Sequence, residues 1–534
     1  MDSLKQGLQK FYAIIEQSRV IEKGIPTRYH LTPTTDSHDQ SQPYKKITFR
    51  ERDKTKPHKT ILMVGETGTG KTKLINNMIN YMLDVQREDK VWFEITDDDQ
   101  TSVHSQTSII TVYGFYIQES KTDLTIIDTP GYGDTRGVEK DKEIAKSLLV
   151  LSKCDECIQT LDAVCLVIKA TQNRLSDRQR YIFDAVQSLF GSNIDENIVL
   201  LFTHSRGSVP KSALTAVEEA KVKCAVNDEK QAVYFQFDNC QGETFPEEYQ
   251  MTQKQSWDLS FRGITGFFMF LNNIKPKTMK MTQHVLEQQR EFEAKISAIK
   301  SHIQEIDRKQ IELKHTQEAL EKHNQVVKEN KNFEYEFEVK YREKVDIDRS
   351  VAKEAMCCRV CEENCHYPGC WWVKDLSWCH VMKDYHCTVC TNKCHSSKHV
   401  KEAKIYVTKT KKEKRIDEDL KKKYDDDNII KVREGESVVQ KLKEELQELE
   451  KVKIKLVMDA FHCVDSLEMI ALNTDSLNTL QHVDFLIEKL KEINEPQKAK
   501  ILENIKKRAG EDKHRAQGYM KKTCYNKSLS KEKS

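Results

Sequence analysis

The sequence has no long apolar run, no excess of charge of one sign and no secretory leader. Its nearest approach to a membrane span, Gly266 to Leu271, is far shorter than the roughly 20 residues that cross a bilayer. The N-terminus is amphipathic and mixed in charge, and the last four residues, KEKS, offer no prenylation cysteine. Because Lys+Arg 86 and Asp+Glu 84 nearly cancel, no field steers the chain onto nucleic acid. These absences predict a cytoplasmic protein with no transmembrane segment and no nucleic-acid partner.

The length and composition predict several parts of different character. At 534 residues the chain is too long for one core, and about three domain-sized units are expected. Hydrophobic residues make up 38% and charged residues 32%, which favours long solvated helices attached to at least one compact domain. In a reducing compartment the 16 cysteines are expected to be thiols or metal ligands rather than disulfides.

The first half of the chain predicts a helix, a polar linker and an α/β domain. Apolar residues at helical spacing predict one helix over 1–24, and a polar linker follows to complete the segment 1–57. Between 58 and 275 apolar strands alternate with helical segments, which is typical of an α/β sheet. The strand candidates are Thr60–Val64, Ile109–Ile117, Leu124–Asp128, Ala163–Ile168, Ile198–Thr203 and Val233–Phe237. The short turn between the second and third candidates predicts one antiparallel strand in a mostly parallel sheet.

The second half predicts a long helical region that a cysteine-rich module interrupts. A heptad seam over 284–332 predicts a coiled-coil arm, and 410–510 is again helical before a basic tail at 511–534. Between them, 333–409 holds the Cys/His-rich module, and alternating residues at its edges predict two flanking strands. If these strands pair antiparallel, the helices become the arms of a hairpin with the cysteine segment at its tip.

The strongest motif is a P-loop after a β-run and before a helix. Its backbone amides and the following helix N-terminus suit phosphate oxygens. Lys71 is predicted to reach the β- and γ-phosphates and so to act catalytically. The predicted nucleotide-binding residues here are Gly65, Glu66, Thr67, Gly68, Thr69, Gly70, Lys71, Thr72 and Lys73.

A second motif, DTPG, predicts the magnesium and switch residues. Asp128 ends a strand, so it is expected to meet Mg²⁺ together with the Thr72 hydroxyl, and the Gly131 amide is expected to sense the γ-phosphate. Thr107 is the preferred second magnesium hydroxyl in the polar segment between the motifs, with Thr101 and Thr111 as competitors. Lys71, Thr107 and Gly131 are therefore the predicted catalytic residues.

The residue after this motif predicts slow hydrolysis. Many small GTPases place a glutamine there to orient the attacking water, but this chain has Tyr132, which cannot do so. Arg136 is a candidate to supply charge in cis or in trans, with a solvated arginine as the alternative.

Taken together, GETGTGKT and IDTPGYGD resemble the septin-related GTPases that include the immunity-associated GTPases (GIMAP family) and the chloroplast import receptors. The resemblance covers 58–275. It implies an AIG-type G domain that binds GTP with Mg²⁺, hydrolyses it slowly and dimerises through the nucleotide face. Animal relatives in this group are also similar in carrying helical extensions.

Base recognition departs from the usual GTPase pattern. The segment after the fifth strand, from Thr203 to Gly207, has no aspartate to accept from guanine. The import receptors are similar in having Thr-His at this place, which implies that His204 stacks on the purine; a strand-end role for His204 is the alternative. By the same resemblance, Asn239 falls in the second base-contacting loop.

The cysteine-rich segment repeats its spacing with an offset of 29 residues, and nine of the 16 cysteines lie between Cys357 and Cys394. Close Cys-x₂-Cys pairs supply two soft ligands at a time, so two repeats are enough for two closed structural zinc sites. The pairing of the repeats, sequential or crossed, stays open. The predicted zinc ligands are Cys358, Cys361, Cys365, His366, Cys370, Cys387, Cys390, Cys394, His395 and His399.

Two function classes agree with these features. In the first, a slow, Mg-dependent GTPase switches the assembly of a homodimer or oligomer, through the G domain and the coiled coil, and recruits a protein partner. In the second, the nucleotide domain is weak or inactive, and the coiled coil and zinc module bind partners as a scaffold. The complete phosphate and magnesium motifs favour the first class, whereas Tyr132 and the missing base aspartate keep the second open.

Overall fold

The structure is a computed structural model that describes residues 9–37, 42–96, 109–118, 120–133, 138–153, 158–172, 174–243, 247–329, 336–368, 375–414, 428–510, 513 and 516. The chain divides into two compact units. Unit 1 takes its described residues from 1–287, 467–481 and 505–526, and unit 2 takes them from 288–466 and 482–504. The nucleotide motifs lie in unit 1 and the cysteine module lies in unit 2.

Unit 1 is built on an eight-stranded sheet and a small three-stranded sheet. Its strands are β1 (Ser18–Glu22), β2 (Thr27–Leu31), β3 (Thr35–Ser37), β4 (Tyr44–Phe49), β5 (His58–Gly65), β6 (Val91–Glu94), β7 (Ile110–Phe115), β8 (Asp123–Asp128), β9 (Thr160–Leu161), β10 (Ala163–Lys169), β11 (Ile198–Thr203), β12 (Tyr234–Gln236) and β13 (Lys277–Thr278). Its helices are α1 (Tyr12–Glu16), α2 (Lys71–Met82), α3 (Val138–Lys153), α4 (Asp177–Gln187), α5 (Lys211–Glu219) and α6 (Gln250–Asn273).

The large sheet has the order β12-β11-β10-β5-β8-β7-β4-β3. Its central strands are parallel, and β7 runs antiparallel to β8. The prediction of a mostly parallel P-loop GTPase sheet with an antiparallel strand is therefore confirmed. Leu62 and Val64 pack into one apolar cluster while Ile61 and Met63 pack into another. Both faces of β5 are thus buried, which explains why this strand is a continuous apolar run rather than an alternating one.

The N-terminal predictions are wrong. In the described part, the helix expected over 1–24 is limited to residues 9–10 and Tyr12–Glu16, and β1 begins at Ser18. The expected linker contains β2, β3 and β4, and β4 extends the large sheet by pairing in parallel with β7. These polar segments become strands because pairing with β7 and β6 satisfies their backbone groups, a contact between residues far apart in sequence.

The long helices lie mostly in unit 2, and an end of each belongs to unit 1. α7 (Lys280–Glu329) covers the predicted arm, and α8 (Asn428–Ile470) and α9 (Leu477–Glu492) lie in the region predicted helical. Ion pairs join Lys295 to Asp459 and Lys309 to Glu445, each at 2.7 Å, so α7 and α8 run antiparallel. The predicted seam is buried from Phe292 to Ile306, with Ile303 partly covered, and becomes partly exposed beyond that point. None of the described helices combines the length and apolar character that crossing a membrane requires.

The cysteine module is folded by short strands. Two long strands, β14 (Glu336–Asp346) and β20 (Lys404–Lys414), pair antiparallel along their whole length, as the alternating pattern predicts. Between them lie β15 (Ala355–Cys358), β16 (Glu363–His366), β17 (Met382–Lys383), β18 (His386–Cys387) and β19 (His399–Glu402). β15 is the middle strand of a sheet with β16 and β19.

The module does not lie at the tip of a helical hairpin, so that expectation is wrong. The strand pair leads back along α7, where Arg342 of β14 forms an ion pair with Glu305 at 3.1 Å. Further back along the helix, the Arg290 guanidinium donates to the His380 carbonyl at 2.9 Å. The module therefore packs against the side of α7 within unit 2. Periodicity identified the helix and the strands, but the direction of the chain after the helix depends on these long-range contacts.

Candidate functional site

The P-loop connects β5 to the N-terminus of α2. Gly70 is the N-cap of α2 with φ 82°, a left-handed conformation that favours glycine. Lys71 is only 7% exposed, and its ammonium donates to the carbonyl oxygens of Gly65 and Glu66, each at 3.1 Å. Burial lowers the pKa of Lys71 to about 8, and the nearby carboxylates of Asp128 and Glu66 partly offset that effect. The lysine is thus held across the loop that its predicted phosphate ligand would fill.

The magnesium residues are brought to the same edge of the sheet. Asp128 is the last residue of β8, and the parallel register of β5 and β8 sets it beside Met63, two residues before the P-loop begins. Its side chain is 1% exposed. Thr72 follows Lys71 in the first turn of α2 and is partly exposed. A hydroxyl and a carboxylate at this edge are oxygen donors of the kind that Mg²⁺ takes in proteins, so the donor set fits that ion.

The described part of the structure does not place the other residues predicted near Mg²⁺ or the phosphates at this site. Thr107 and Thr101 lie outside the described residues, as does Arg136. Thr111 is buried in β7, directly opposite Asp128 in the antiparallel register. Because β7 pairs with a strand on each side, Thr111 is part of the sheet and not of a segment that could move to meet Mg²⁺.

The switch motif is docked on the P-loop. The Tyr132 amide donates to the Gly65 carbonyl at 3.0 Å, and the Thr67 amide donates to the Tyr132 carbonyl at 3.1 Å. A Cβ on Gly131 would lie 2.4 Å from Thr67 Oγ1, so only glycine permits this approach. The Tyr132 side chain is 1% exposed and packs in the apolar core. Its ring is therefore turned away from the place where an attacking water would be oriented.

An arginine that the sequence analysis missed lies beside both motifs. Arg178 of α4 forms an ion pair with Glu66 at 3.0 Å and donates to the Gly133 carbonyl at 2.8 Å. It is distant from the motifs in sequence, so no spacing rule pointed to it. Arg178 joins the P-loop to the switch motif and places a permanent positive charge next to the loop.

The base loops meet the P-loop at Gly70. His204 and Asn239 both adopt left-handed backbone conformations, with φ 52° and 60°, which are uncommon for residues other than glycine. Asn239 donates to the Gly70 carbonyl at 3.3 Å and accepts from the Asn77 amide at 2.7 Å. The His204 Nε2 lies 3.8 Å from the position that a Cβ on Gly70 would take. The structure thus brings His204 and Asn239 together with the P-loop.

Further side chains complete this region. Thr203 is fully buried and its hydroxyl donates to the Thr69 carbonyl at 2.5 Å. Lys169, the last residue of β10, extends its ammonium to the exposed Gly68. Partial desolvation lowers the pKa of His204, Lys169 lowers it further and Asp238 opposes them. The lowered pKa favours the neutral imidazole, a flat ring that can stack on a purine. Lys73, by contrast, is exposed and pairs with Glu243 at 2.7 Å.

Two groups of metal-ligand side chains form in the cysteine module. In each group the donor atoms all lie within 4.8 Å of one another. The first group is Cys358, Cys361, Cys390 and Cys394, and the second group is Cys365, Cys387, Cys390 and His399. Both groups combine residues of the two sequence repeats. The pairing is therefore crossed, and Cys390 belongs to both groups.

The geometry of these groups fits a tetrahedral metal ion. Cys361 Sγ and Cys394 Sγ are 3.7 Å apart, whereas a disulfide would bring them to about 2.0 Å. Zinc–sulfur bonds of about 2.3 Å in a tetrahedron require sulfur atoms about 3.8 Å apart. None of the described cysteines forms a disulfide. In both Cys-x₂-Cys pairs, the amide of the second cysteine points to the first sulfur, at 3.4 Å, an arrangement that stabilises a thiolate.

His399 is the residue whose surroundings point most directly to a metal ligand. Its side chain is buried, its Nδ1 lies 3.1 Å from the His395 carbonyl, and its Nε2 is buried with no hydrogen-bond partner. A carbonyl at Nδ1 selects the tautomer whose Nε2 carries a lone pair, which is the usual arrangement of a metal-binding histidine. The second group therefore has three sulfur donors and one oriented imidazole nitrogen.

Three of the predicted zinc ligands are not in these groups. His395 is exposed, and its Nδ1 accepts from the Ser397 amide at 3.2 Å. His366 lies instead beside Cys379. Cys370 lies outside the described residues. The repeat offset suggested His395 as an equivalent of His366, but only their positions in sequence are equivalent.

A family model and several solved structures are similar to part of this chain. Residues 59–255 match the AIG1 family model, so this part of the chain is an AIG1 family domain. Toc33 from Arabidopsis thaliana in complex with Mg²⁺ and GMPPNP is 15% identical, with 42% of this chain and 88% of that chain covered and a TM-score of 0.29. The same protein in complex with GDP and Mg²⁺ is 14% identical, with 42% and 88% covered and a TM-score of 0.30. A dimerization-deficient Toc33 mutant is 16% identical, with 41% and 86% covered and a TM-score of 0.27. None of the curated proteins matches the chain.

Proposed function

We propose that this chain, whose residues 59–255 form an AIG1 family domain, binds GTP with Mg²⁺ and hydrolyses it slowly to control its own assembly. The family match supports GTP binding. The observation that carries the proposal is the buried Lys71, held over the P-loop beside the Asp128 carboxylate. A buried cation at the N-terminus of α2, where the helix leaves backbone amides without partners, suits a polyanion.

The roles of the residues follow from their positions. Lys71 would exchange its two carbonyl partners for β- and γ-phosphate oxygens, and the Gly131 amide would meet the γ-phosphate from the switch side. Thr72 and Asp128 would hold Mg²⁺, directly and through water. When bound, this ion neutralises charge on the phosphate oxygens. Loss of the γ-phosphate would then release the switch motif from the P-loop.

Slow hydrolysis is supported by the surroundings of the switch. The Tyr132 ring is buried in the core, so this position supplies no group that orients water. Besides Lys71, Arg178 is a cation placed to approach the transferred phosphate, because it already contacts Glu66 and Gly133. Reaching the phosphate would require Arg178 to leave Glu66, and this requirement also favours a low intrinsic rate.

The cysteine module is proposed to hold structural zinc at the two crossed groups. The groups contain seven different donors, and two tetrahedral ions need about eight bonds. Seven donors supply eight metal–ligand bonds if the Cys390 thiolate bridges both ions. Closed sites of this kind stabilise a small domain rather than catalyse a reaction.

The proposal includes a cytoplasmic location and self-assembly of the chain into a dimer or oligomer. The family resemblance implies dimerisation through the nucleotide face, and the antiparallel α7–α8 pair offers a long surface for a coiled-coil contact or for a protein partner. The competing function is a scaffold in which the helices and the zinc module bind partners and nucleotide turnover plays no part. The buried Tyr132 is the observation that favours this second function.

One experiment separates the two functions. The full chain is purified, the nucleotide released by denaturation is identified, and hydrolysis of added GTP is followed at increasing protein concentration. The switch is supported if the released nucleotide is a guanine nucleotide and GTP hydrolysis depends on Mg²⁺. The hydrolysis rate per chain should then also rise with protein concentration. Tight binding without turnover supports the scaffold, and no binding of any triphosphate contradicts both the switch and the predicted P-loop role.

A further inference from the structure

Three more metal-ligand side chains converge in the cysteine module, outside the two groups already assigned to zinc. His366, Cys379 and His380 place their donor atoms within 4.8 Å of one another. The His366 Nδ1 lies 3.1 Å from the Cys379 Sγ. The two imidazole rings stand nearly perpendicular, at 78°, with their centroids 3.9 Å apart. No donor of this trio belongs to either of the other groups.

The fold holds each member of the trio by its backbone. His366 ends β16, where it pairs with Met356 of the central strand β15. Cys379 follows a short 3-10 turn that begins at Asp375, whose carboxylate accepts from the Ser377 amide at 2.9 Å. The Arg290 guanidinium fixes the carbonyl of His380. The convergence therefore arises from three separate restraints rather than from one flexible loop.

The burial of the trio argues against a reactive cysteine. A thiol beside an imidazole can also be a nucleophile, but such a cysteine must be reached by its substrate. Cys379 is 2% exposed, and the two histidines beside it are partly exposed. One buried sulfur with two imidazoles beside it offers the thiolate and imidazole donors that zinc takes in proteins.

We propose that His366, Cys379 and His380 bind a third metal ion, of the zinc class, through one thiolate and two neutral imidazoles. The described residues supply three donors to this ion, in contrast to the four in each of the other groups. This ion would connect the end of β16 to the segment before β17, which no strand pairing joins directly in the described residues. The proposal goes beyond the two-ion module, since the sequence repeats account for only two sites.

The test is metal stoichiometry of the full chain, purified under reducing conditions and measured by elemental analysis. The wild-type chain is expected to hold three zinc ions, and the double variant Cys379→Ser with His380→Ala is expected to hold two. The control is His386→Ala, because this exposed histidine of the same module belongs to no group and should leave three ions. Retention of two ions in the double variant also shows that the rest of the module is folded.

A second variant decides the matter if the double variant loses all its metal. His380→Cys keeps a donor at the same place, so it should still bind three ions after cobalt substitution. Its sulfur-to-cobalt charge-transfer absorption should exceed that of the wild type by one thiolate. Two ions in the wild-type chain, three in a folded double variant, or an unchanged charge-transfer band in His380→Cys would each overturn the third site. If the third site does not exist, both crossed groups can still hold zinc, and the wild-type chain then contains two ions. This result differs from that of a module that binds no zinc at all.

Discussion

Lys71 carries the sharpest expectation for a single residue, because the P-loop holds it buried over two carbonyl oxygens. We predict that Lys71→Ala lowers the affinity for GTP with Mg²⁺ by at least about a hundredfold, since charged hydrogen bonds to phosphate are lost. Isothermal titration calorimetry measures the change. The matched control is Lys254→Ala, an exposed lysine of α6, which should bind as the wild type does. Equal affinities of the wild type and Lys71→Ala would remove the P-loop from the proposed function.

The base loops predict weak discrimination between purines. The His204 imidazole is exposed and close to Gly70, and stacking on it satisfies adenine as well as guanine. We expect GTP to be preferred over ATP by only a modest factor, and His204→Ala to weaken both nucleotides about equally. Without a carboxylate reading the guanine edge, discrimination falls by about 1–3 kcal/mol.

Asp238 is the residue that could contradict this expectation. It is partly buried, and its charge acts on His204. If competition binding shows a preference for GTP of several thousandfold, and Asp238→Asn abolishes it, then Asp238 reads the base. The missing aspartate after β11 would then have been replaced by one after β12.

At the scale of elements, the two crossed groups make Cys390 different from the other described cysteines of the module. We predict that Cys390→Ser removes two zinc ions per chain, because it takes one donor from each group, whereas Cys394→Ser removes one. The Cys390 variant should also melt at a lower temperature. Elemental analysis with thermal unfolding measures both effects. Equal losses in the two variants would show that the thiolate does not bridge.

For the whole molecule, the proposed switch predicts that self-association depends on the nucleotide. The wild-type chain should sediment as a larger species with a non-hydrolysable GTP analogue and Mg²⁺ than with GDP, because γ-phosphate contacts order the switch motif. Lys71→Ala should sediment equally in both conditions. Analytical ultracentrifugation provides the measurement. A wild-type mass that ignores the nucleotide would favour the scaffold function.

Local sequence patterns alone were enough to identify many of the motifs, strands and helices of this protein. Short sequence patterns were enough to identify the P-loop, the strand that ends at Asp128 and the heptad seam of α7. These patterns are short because backbone geometry repeats over two to seven residues. The alternation before and after the cysteine module likewise identified β14 and β20. The repeat of Cys-x₂-Cys pairs pointed to a metal-binding module for the same reason, since two ligands four positions apart or fewer can share one turn.

Only the tertiary structure decided which distant residues meet. Periodicity predicted a helix over 1–24, but pairing with β2 turns its end into β1. No spacing connects Arg178 to Glu66, or Cys379 to His366, because these contacts close loops whose ends are fixed by the packing of the whole unit. The crossed sharing of Cys390 belongs to the same class. The sequence by itself determined the chemistry that is available, and tertiary packing decided which groups combine, since a ligand set is a matter of distance in space and not along the chain.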